Sequence, residues 1–143
     1  MANPVSESVE RLQSAATAAA EKAYAPYSNF CVGAALLFDD GGVTTGCNVE
    51  NISYGLTICA ERTALCRAVA EHGANRRIVA IAVANLNQAA SPPCGACRQM
   101  LSEFVTPDAI VYFPDSQGVT SVPFNELLPH TFRNWKKDED ACG

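Results

Sequence analysis

Between Val9 and Ala23 the apolar side chains Val9, Leu12, Ala16, Ala19 and Ala23 recur at steps of three and four, while Glu10, Arg11, Ser14, Thr17 and Glu21 fall mostly on the other side. That spacing predicts an amphipathic helix, with Ser6 as its N-cap and Pro26 as its stop. Tyr27-Ser28-Asn29 then forms a loop. Phe30 to Phe38 is apolar enough to be a strand, with Gly33 as a point of close approach. Asp39-Asp40-Gly41-Gly42 has the chemistry of a hairpin turn, and Val43 to Val49 is the returning strand. A loop with Asn51, Ser53 and Gly55 follows.

The period becomes helical again from about Ile58 to His72, with Leu65, Ala68 and Val69 inward and Gly73 as the stop. Ile78 to Ala84 is an unbroken apolar run, as expected of a strand buried on both faces of a sheet. Pro92-Pro93 breaks the chain before a third helix from Cys94 to Phe104. Ala109 to Phe113 and the weaker Val119 to Val122 read as strands, and Phe124 to Leu128 as a short helix ending at Pro129. The tail from Lys136 to Gly143 is of mixed charge and is expected to be loose, beginning near position 133. Helices alternating with strands in the middle imply an α/β fold with at least one parallel pairing. No internal repeat is visible.

Composition narrows the function classes. A chain of 143 residues, 48% apolar and 17% charged, fits one core-forming domain spanning positions 1–143. Its net charge of −5 and lack of a basic stripe argue against nucleic acid as a partner and favour a small, weakly charged ligand. Without an apolar run of about 18 residues, no membrane partner is expected. The residues from Met1 to Glu10 lack a signal-peptide pattern. Seven cysteines, an odd number, then point to reduced thiols and a cytoplasmic location rather than a disulfide framework.

The chemistry concentrates in Cys59-Ala60-Glu61 and in Pro93-Cys94-Gly95-Ala96-Cys97, which begins some thirty residues later. Two cysteines separated by two residues at a helix start can face one point, where the positive end of the helix eases loss of the thiol protons. Cys59 opens its own helix in the same manner. If the two helix starts face each other, three thiolates converge on a site suited to Zn²⁺. Three protein ligands leave a fourth position for water, as in catalytic zinc sites, whereas structural sites are closed by four. Glu61 lies in the same opening turn and is placed to act as a general base. Zinc with three thiolates carries a net negative charge, which the Arg62 guanidinium is positioned to offset by donating to the sulfurs.

Cys59-Ala60-Glu61-Arg62-Thr63-Ala64 and Pro93-Cys94-Gly95-Ala96-Cys97-Arg98-Gln99 resemble the motifs of the small, tetrameric cytidine deaminases. Pro26-Tyr27-Ser28-Asn29-Phe30-Cys31-Val32-Gly33-Ala34, Gly46-Cys47-Asn48-Val49-Glu50-Asn51 and Glu126-Leu127-Leu128-Pro129 are similar as well, so the resemblance runs from about Ala20 to Phe132. It implies a three-layer α/β/α fold with a five-stranded mixed sheet, one Zn²⁺ per chain and a homotetramer with shared active sites. It further implies that Asn48 and Glu50 hold the ribose 3′-hydroxyl, that Phe30 lines the base pocket, that Ala60 belongs to the substrate-binding set, and that Tyr54 and Phe132 reach into a neighbouring subunit's site, Phe132 packing on the pyrimidine. The implied activity is hydrolytic deamination of cytidine and 2′-deoxycytidine in pyrimidine salvage. After Phe132 the chain departs from the family, with Arg133-Asn134-Trp135 in place of a Gly-Pro-Glu-Asp-Leu-like ending.

Other readings compete at each position. Cys94 and Cys97 alone would serve a structural zinc knuckle, and Cys59 alone a buried thiol. Without the cysteines, Glu61 and Arg62 would be an ordinary solvated helix start. Cys31, Cys47 and Cys66 read as core or near-core thiols, Cys142 as an exposed tail thiol, and His72 and His130 as structural. At the level of function the rivals are a deaminase of another aminopyrimidine such as blasticidin S, a polynucleotide-editing deaminase, and a non-catalytic zinc-stabilised module. The pairing of Asn48 and Glu50 with Phe132 favours a nucleoside over blasticidin S, and the acidic charge counts against a polynucleotide.

Overall fold

The computed structural model describes residues 4–133. Helix α1 (Pro4–Ala20) leads into the hairpin β1 (Val32–Phe38) and β2 (Val43–Cys47); α2 (Ala60–His72), β3 (Ile78–Asn85), α3 (Gly95–Leu101), β4 (Val105–Asp115), β5 (Gly118–Pro123) and α4 (Phe124–Leu127) follow. A single 3₁₀ turn spans Tyr54–Leu56 in the loop before α2. The five strands form one sheet in the order β2-β1-β3-β4-β5. Only β3 and β4 pair in parallel, through the crossover that contains α3; the other neighbours are antiparallel. The sheet is therefore mixed, as the resemblance implies.

Alternation along the strands assigns the helices to opposite faces. Ala34, Leu36 and Phe38 of β1, with Ile78, Ile81 and Val83 of β3, join a core with Ala64, Leu65 and Ala68 of α2 and Leu101 of α3. Ala35 of β1 and Ala82 of β3 turn the other way, onto Leu12 and Ala16 of α1. Each fully buried Leu or Ile in the larger core contributes about 1.5–3 kcal/mol. On the α1 face the residues are small, and the helix comes close. A Cβ added at Gly33 would stand 1.9 Å from the Ala16 carbonyl oxygen, so only glycine fits there.

Element boundaries differ from the sequence reading in places. Helix α1 begins at Pro4 and ends at Ala20, which puts Ser6 inside the helix rather than at its cap. Helix α3 ends at Leu101, because Phe104 turns back onto the Leu101 carbonyl and accepts the Ile78 amide with its own. That contact starts β4 four residues earlier than expected. Thr106-Pro107-Asp108, outside the expected strand, lies in β4, where the register slips between Val105, opposite Ile78, and Ile110, opposite Ala80. Cys66, expected near the core, is exposed on α2; Cys31 and Cys47 are half-buried. Cys142 and the tail from Lys136 lie outside the described residues. Among the described residues, no helix is long and apolar enough to cross a membrane.

Candidate metal centre and active site

Topology alone gathers the expected site. The strands β2 and β3 both run antiparallel to β1, which lies between them, so their C-terminal ends and the beginning of β1 share one edge of the sheet. Helix α2 starts after the first of these ends and α3 after the second. Phe30, Asn48, Cys59 and Cys94 are thereby brought to the same edge, where α/β sheets commonly bind ligands.

Cys59 and Cys94 are the N-cap residues of α2 and α3, both in extended backbone and neither using its side chain to cap. The sulfurs stay free to meet. Cys59 Sγ lies 3.7 Å from Cys94 Sγ, and Cys94 Sγ lies 3.5 Å from Cys97 Sγ. All three fall within 4.8 Å of one another. A disulfide would need about 2.05 Å, whereas tetrahedral zinc with bonds of about 2.3 Å holds its sulfurs roughly 3.8 Å apart. The spacing therefore fits a shared cation. Arg62 Nη2 donates to Cys59 Sγ at 3.6 Å and to the Thr57 carbonyl at 3.4 Å. Its Nε is buried without a partner, a donor with room for the acceptor capacity of thiolates on a metal.

Protonation follows from the same contacts. Hydrogen bonds from Cys97, Arg62 and Cys94 favour the Cys59 thiolate and lower its pKa to about 5. Cys97, the donor to Cys59 and buried beside Glu61, is pushed up. Glu61 is 4% exposed, and burial raises its pKa, opposed by its hydrogen bond with Cys97. The Glu61 carboxyl thus lies buried beside three sulfurs whose spacing suits a metal ion.

The loop between β2 and α2 is stitched to this cluster. Val49 and Ile58 exchange both backbone hydrogen bonds at 2.9 Å, and Tyr24 bridges Asn48 and Glu50. Asn48, expected at the ribose, accepts the Val32 amide at 2.9 Å and donates to the Phe30 carbonyl at 2.8 Å. Glu50 Oε1 accepts from the Tyr27 and Ser28 amides at 2.9 and 3.2 Å, and Oε2 from the Ser28 hydroxyl. Led by the Ser28 hydroxyl, these donors hold the Glu50 carboxyl below its ordinary range, so it stays an acceptor.

Residues 6–113 match the cytidine and deoxycytidylate deaminase zinc-binding region. The chain belongs to this deaminase family. The cytidine deaminase of Halalkalibacterium halodurans is 52% identical over 115 residues, which cover 80% of this chain and 86% of that protein. The cytidine deaminase of Mycobacterium tuberculosis is 45% identical over 121 residues, 85% of this chain and 86% of that one. The crystal structure of the Burkholderia pseudomallei cytidine deaminase is similar with a TM-score of 0.77 at 50% identity, covering 86% of this chain and 98% of that chain.

Within this deaminase chain, Ala60 is buried at the first position of α2 and Phe30 is half-buried at the mouth of β1. Tyr54 and Phe132 are not gathered in: they are 73% and 83% exposed. Tyr54 meets the Tyr27 ring edge-on, with centroids 6.1 Å apart. The Phe132 carbonyl is tied to α3 by Gln99 Nε2 at 3.2 Å. An open concavity of about 550 Å³ on the outer face of α1, lined by Glu10, Gln13 and Thr17 among others, holds none of the expected site residues.

Sequence reasoning missed three supports. Ser28 orients Glu50 across 22 residues, and Arg98 joins the Pro93 and Leu127 carbonyls at 2.7 and 2.9 Å. Gly46 lets β2 touch the start of α2, since a Cβ there would stand 2.4 Å from the Ala64 amide nitrogen. All three lie inside the similar motifs, and that position was the only signal available for them.

Proposed function

We propose that this protein catalyses the hydrolytic deamination of cytidine and 2′-deoxycytidine to uridine and 2′-deoxyuridine, releasing ammonia. The observation that carries this reading is the convergence of the Cys59, Cys94 and Cys97 sulfurs beside the buried Glu61 carboxyl. Cys59, Cys94 and Cys97 would hold one Zn²⁺ per chain. When bound, zinc supplies the Lewis acidity that makes a water nucleophilic near neutral pH.

Glu61 moves the protons. Its carboxylate takes a proton from the attacking water and delivers it to N3 of the cytosine ring as oxygen adds to C4. It then passes the second water proton to the 4-amino group, and the C4–N bond breaks as ammonia departs. The balance is one water consumed for one ammonia released, and Glu61 ends as it began. Arg62 donates to Cys59 and moderates the excess negative charge of three thiolates. Phe30 and Ala60 contact the base. Asn48 and Glu50 take the ribose 3′-hydroxyl, with Glu50 as acceptor. A 3′-phosphate there would face like charge and offer no donor, which excludes cytosines inside a polynucleotide. Tyr54 and Phe132 serve a neighbouring subunit's site in a homotetramer. The six described cysteines are all free thiols, in keeping with action in a reducing, cytoplasmic compartment as part of pyrimidine salvage.

The test is ammonia release from cytidine, deoxycytidine, cytosine, blasticidin S and a cytosine-containing oligonucleotide, with zinc measured on the same protein. The two nucleosides should react and the others should not. Glu61→Gln should fold and retain about one zinc per chain while losing roughly 10²- to 10⁴-fold in rate. Near wild-type turnover by a zinc-replete Glu61→Gln enzyme would remove the proton shuttle. Full activity in metal-free protein would remove the zinc.

A further inference from the structure

Asn87 lies beyond the end of β3, outside every motif that identifies the chain, yet its amide reaches back 56 and 58 residues to the loop before β1. Its Oδ1 accepts the Cys31 amide at 3.3 Å, and its Nδ2 donates to the Asn29 carbonyl at 3.0 Å. Those two residues flank Phe30. The last backbone pair of the β1–β3 ladder is Val32 with Asn85, and the Leu86 amide adds one bond to the Cys31 carbonyl at 3.1 Å. From there the side chain of Asn87 continues the ladder where the backbone has turned away.

Phe30 itself is held at both of its backbone polar groups. Its amide donates to Ser28 Oγ at 3.0 Å, and its carbonyl accepts Asn48 Nδ2 at 2.8 Å. Asn29 before it takes a left-handed φ of 57°, uncommon for a non-glycine residue although Asn adopts it more readily than most, and neighbouring restraints help to hold it there. The Asn87 bond to the Asn29 carbonyl is one such restraint. Asn87 is in turn fixed from behind. Its own amide donates to Asn85 Oδ1 at 3.0 Å, and Asn85 Nδ2 donates to the Ala89 carbonyl and Ser91 Oγ, each at 2.8 Å. The segment so organised runs directly into Pro92-Pro93-Cys94.

We propose that Asn87 is a positioning residue for the base pocket: by clamping Asn29 and Cys31 it sets the direction of the Phe30 ring relative to the cluster formed at Cys94. This rests on the proposed nucleoside deaminase reading. Asn87 touches no reacting atom. It acts through Phe30, and through Ser28 on the same loop it also steadies Glu50. The consequence falls on substrate binding rather than on proton transfer, because Glu61 and the three thiols are held by α2 and α3 and not by this loop.

The experiment compares wild type, Asn87→Ala and Asn87→Asp in zinc content, kcat and KM for cytidine, and in hydrogen–deuterium exchange over residues 28–33. Asn87→Ala should keep full zinc and a kcat within about threefold of wild type while KM rises roughly 5- to 20-fold, as expected for losing two side-chain hydrogen bonds that order a pocket. Exchange over 28–33 should accelerate while the centre of β3 stays protected. Asn87→Asp retains the acceptor for Cys31 but sets a carboxylate oxygen against the Asn29 carbonyl, so its KM should rise at least as far as that of Asn87→Ala. Wild-type KM and wild-type exchange in Asn87→Ala would overturn the proposal. So would a parallel loss of zinc and kcat, which would assign Asn87 to the fold or to the metal instead. Wild-type protein that releases no ammonia from cytidine would defeat the functional reading, and exchange over 28–33 would then decide the clamp by itself.

Discussion

Cys59 and Arg62 stand at the N-cap and third positions of α2, and Cys94 and Cys97 at the same two positions of α3. Side chains three apart at a helix start lean over the same end, which is why Arg62 comes to a sulfur much as Cys97 does. The sequence pattern alone suggested this partnership, since a guanidinium is the available group that can offset three thiolates. The structure adds its direction: Arg62 donates to Cys59 and to the Thr57 carbonyl, on the α2 side of the cluster. Arg62→Gln should therefore lower zinc affinity or activity by roughly 10- to 100-fold, the scale usual for groups that orient metal ligands. Zinc competition with a chromophoric chelator, alongside a pH–rate profile, measures both. Unchanged affinity and an unchanged profile would reduce Arg62 to a partner for the Thr57 carbonyl. Arg62→Lys is an informative companion, because a point charge replaces the fork but cannot reproduce its two directions.

At the level of elements, the close approach of β2 to α2 does the most to fix the site. Gly46 lies under the first turn of α2, with the Ala64 amide nitrogen 2.4 Å and the Ala60 carbonyl oxygen 2.7 Å from where a Cβ would be. Both neighbours are backbone and cannot swing aside. Gly46→Ala should push α2 away from the sheet and cost about 1–3 kcal/mol or more, read as a fall in denaturation midpoint at an unchanged m-value. It should also weaken zinc binding, because Cys59 moves with the helix. A variant of wild-type stability and zinc affinity would show that the two elements can separate without disturbing the cluster. The close approach at Gly33 was legible from its place in an apolar strand; Gly46 was not, because its neighbour lies on a helix that begins fourteen residues later. The same limit explains the boundaries. Periodicity located the start of α2 and the Pro92-Pro93 break that of α3, but α3 ends where Phe104 finds Ile78 on β3, and local pattern contains no record of that partner. Val49 pairs on past the end of β2 because Ile58 and Tyr24 bridge to it. The thiol cluster was readable because its chemistry demands a few residue types at short spacing. The hydrogen-bonded loops of Ser28 and Asn87 were not, because polar residues in loops suit many arrangements equally well.

Over the chain as a whole, the exposed apolar residues among those described bear on the proposed homotetramer. Val49, Ile52, Tyr54, Leu56 and Ile58 are all exposed within ten residues of the loop that leads to Cys59. So much apolar surface in one run is characteristic of a face that another protein covers. Phe132 is more exposed still, and Gln99 holds its backbone against α3, where its ring is presented outward. A flat pyrimidine needs apolar walls that exclude water, because exclusion strengthens the electrostatic action of the zinc and Glu61. In the proposed site one chain would contribute Phe30 and Ala60. A second copy, supplying Tyr54 and Phe132, would complete the enclosure and bury the exposed loop in the same contact. The protein should accordingly scatter light with a mass near four chains of 15.2 kDa, and dilution to monomers should abolish turnover while circular dichroism shows the chain still folded. Phe132→Ala should retain zinc and raise KM for cytidine about 3- to 10-fold, the loss expected for one aromatic contact on the base. Mixing it with a Glu61→Gln chain gives a sharper test. Neither parent has a complete site, but in shared assemblies some sites pair an intact Glu61 with an intact Phe132, so activity at low cytidine should exceed the sum of the parents. A monomer with full activity, or mixtures that merely average, would confine each site to a single chain and leave the thiol cluster and Glu61 as they stand.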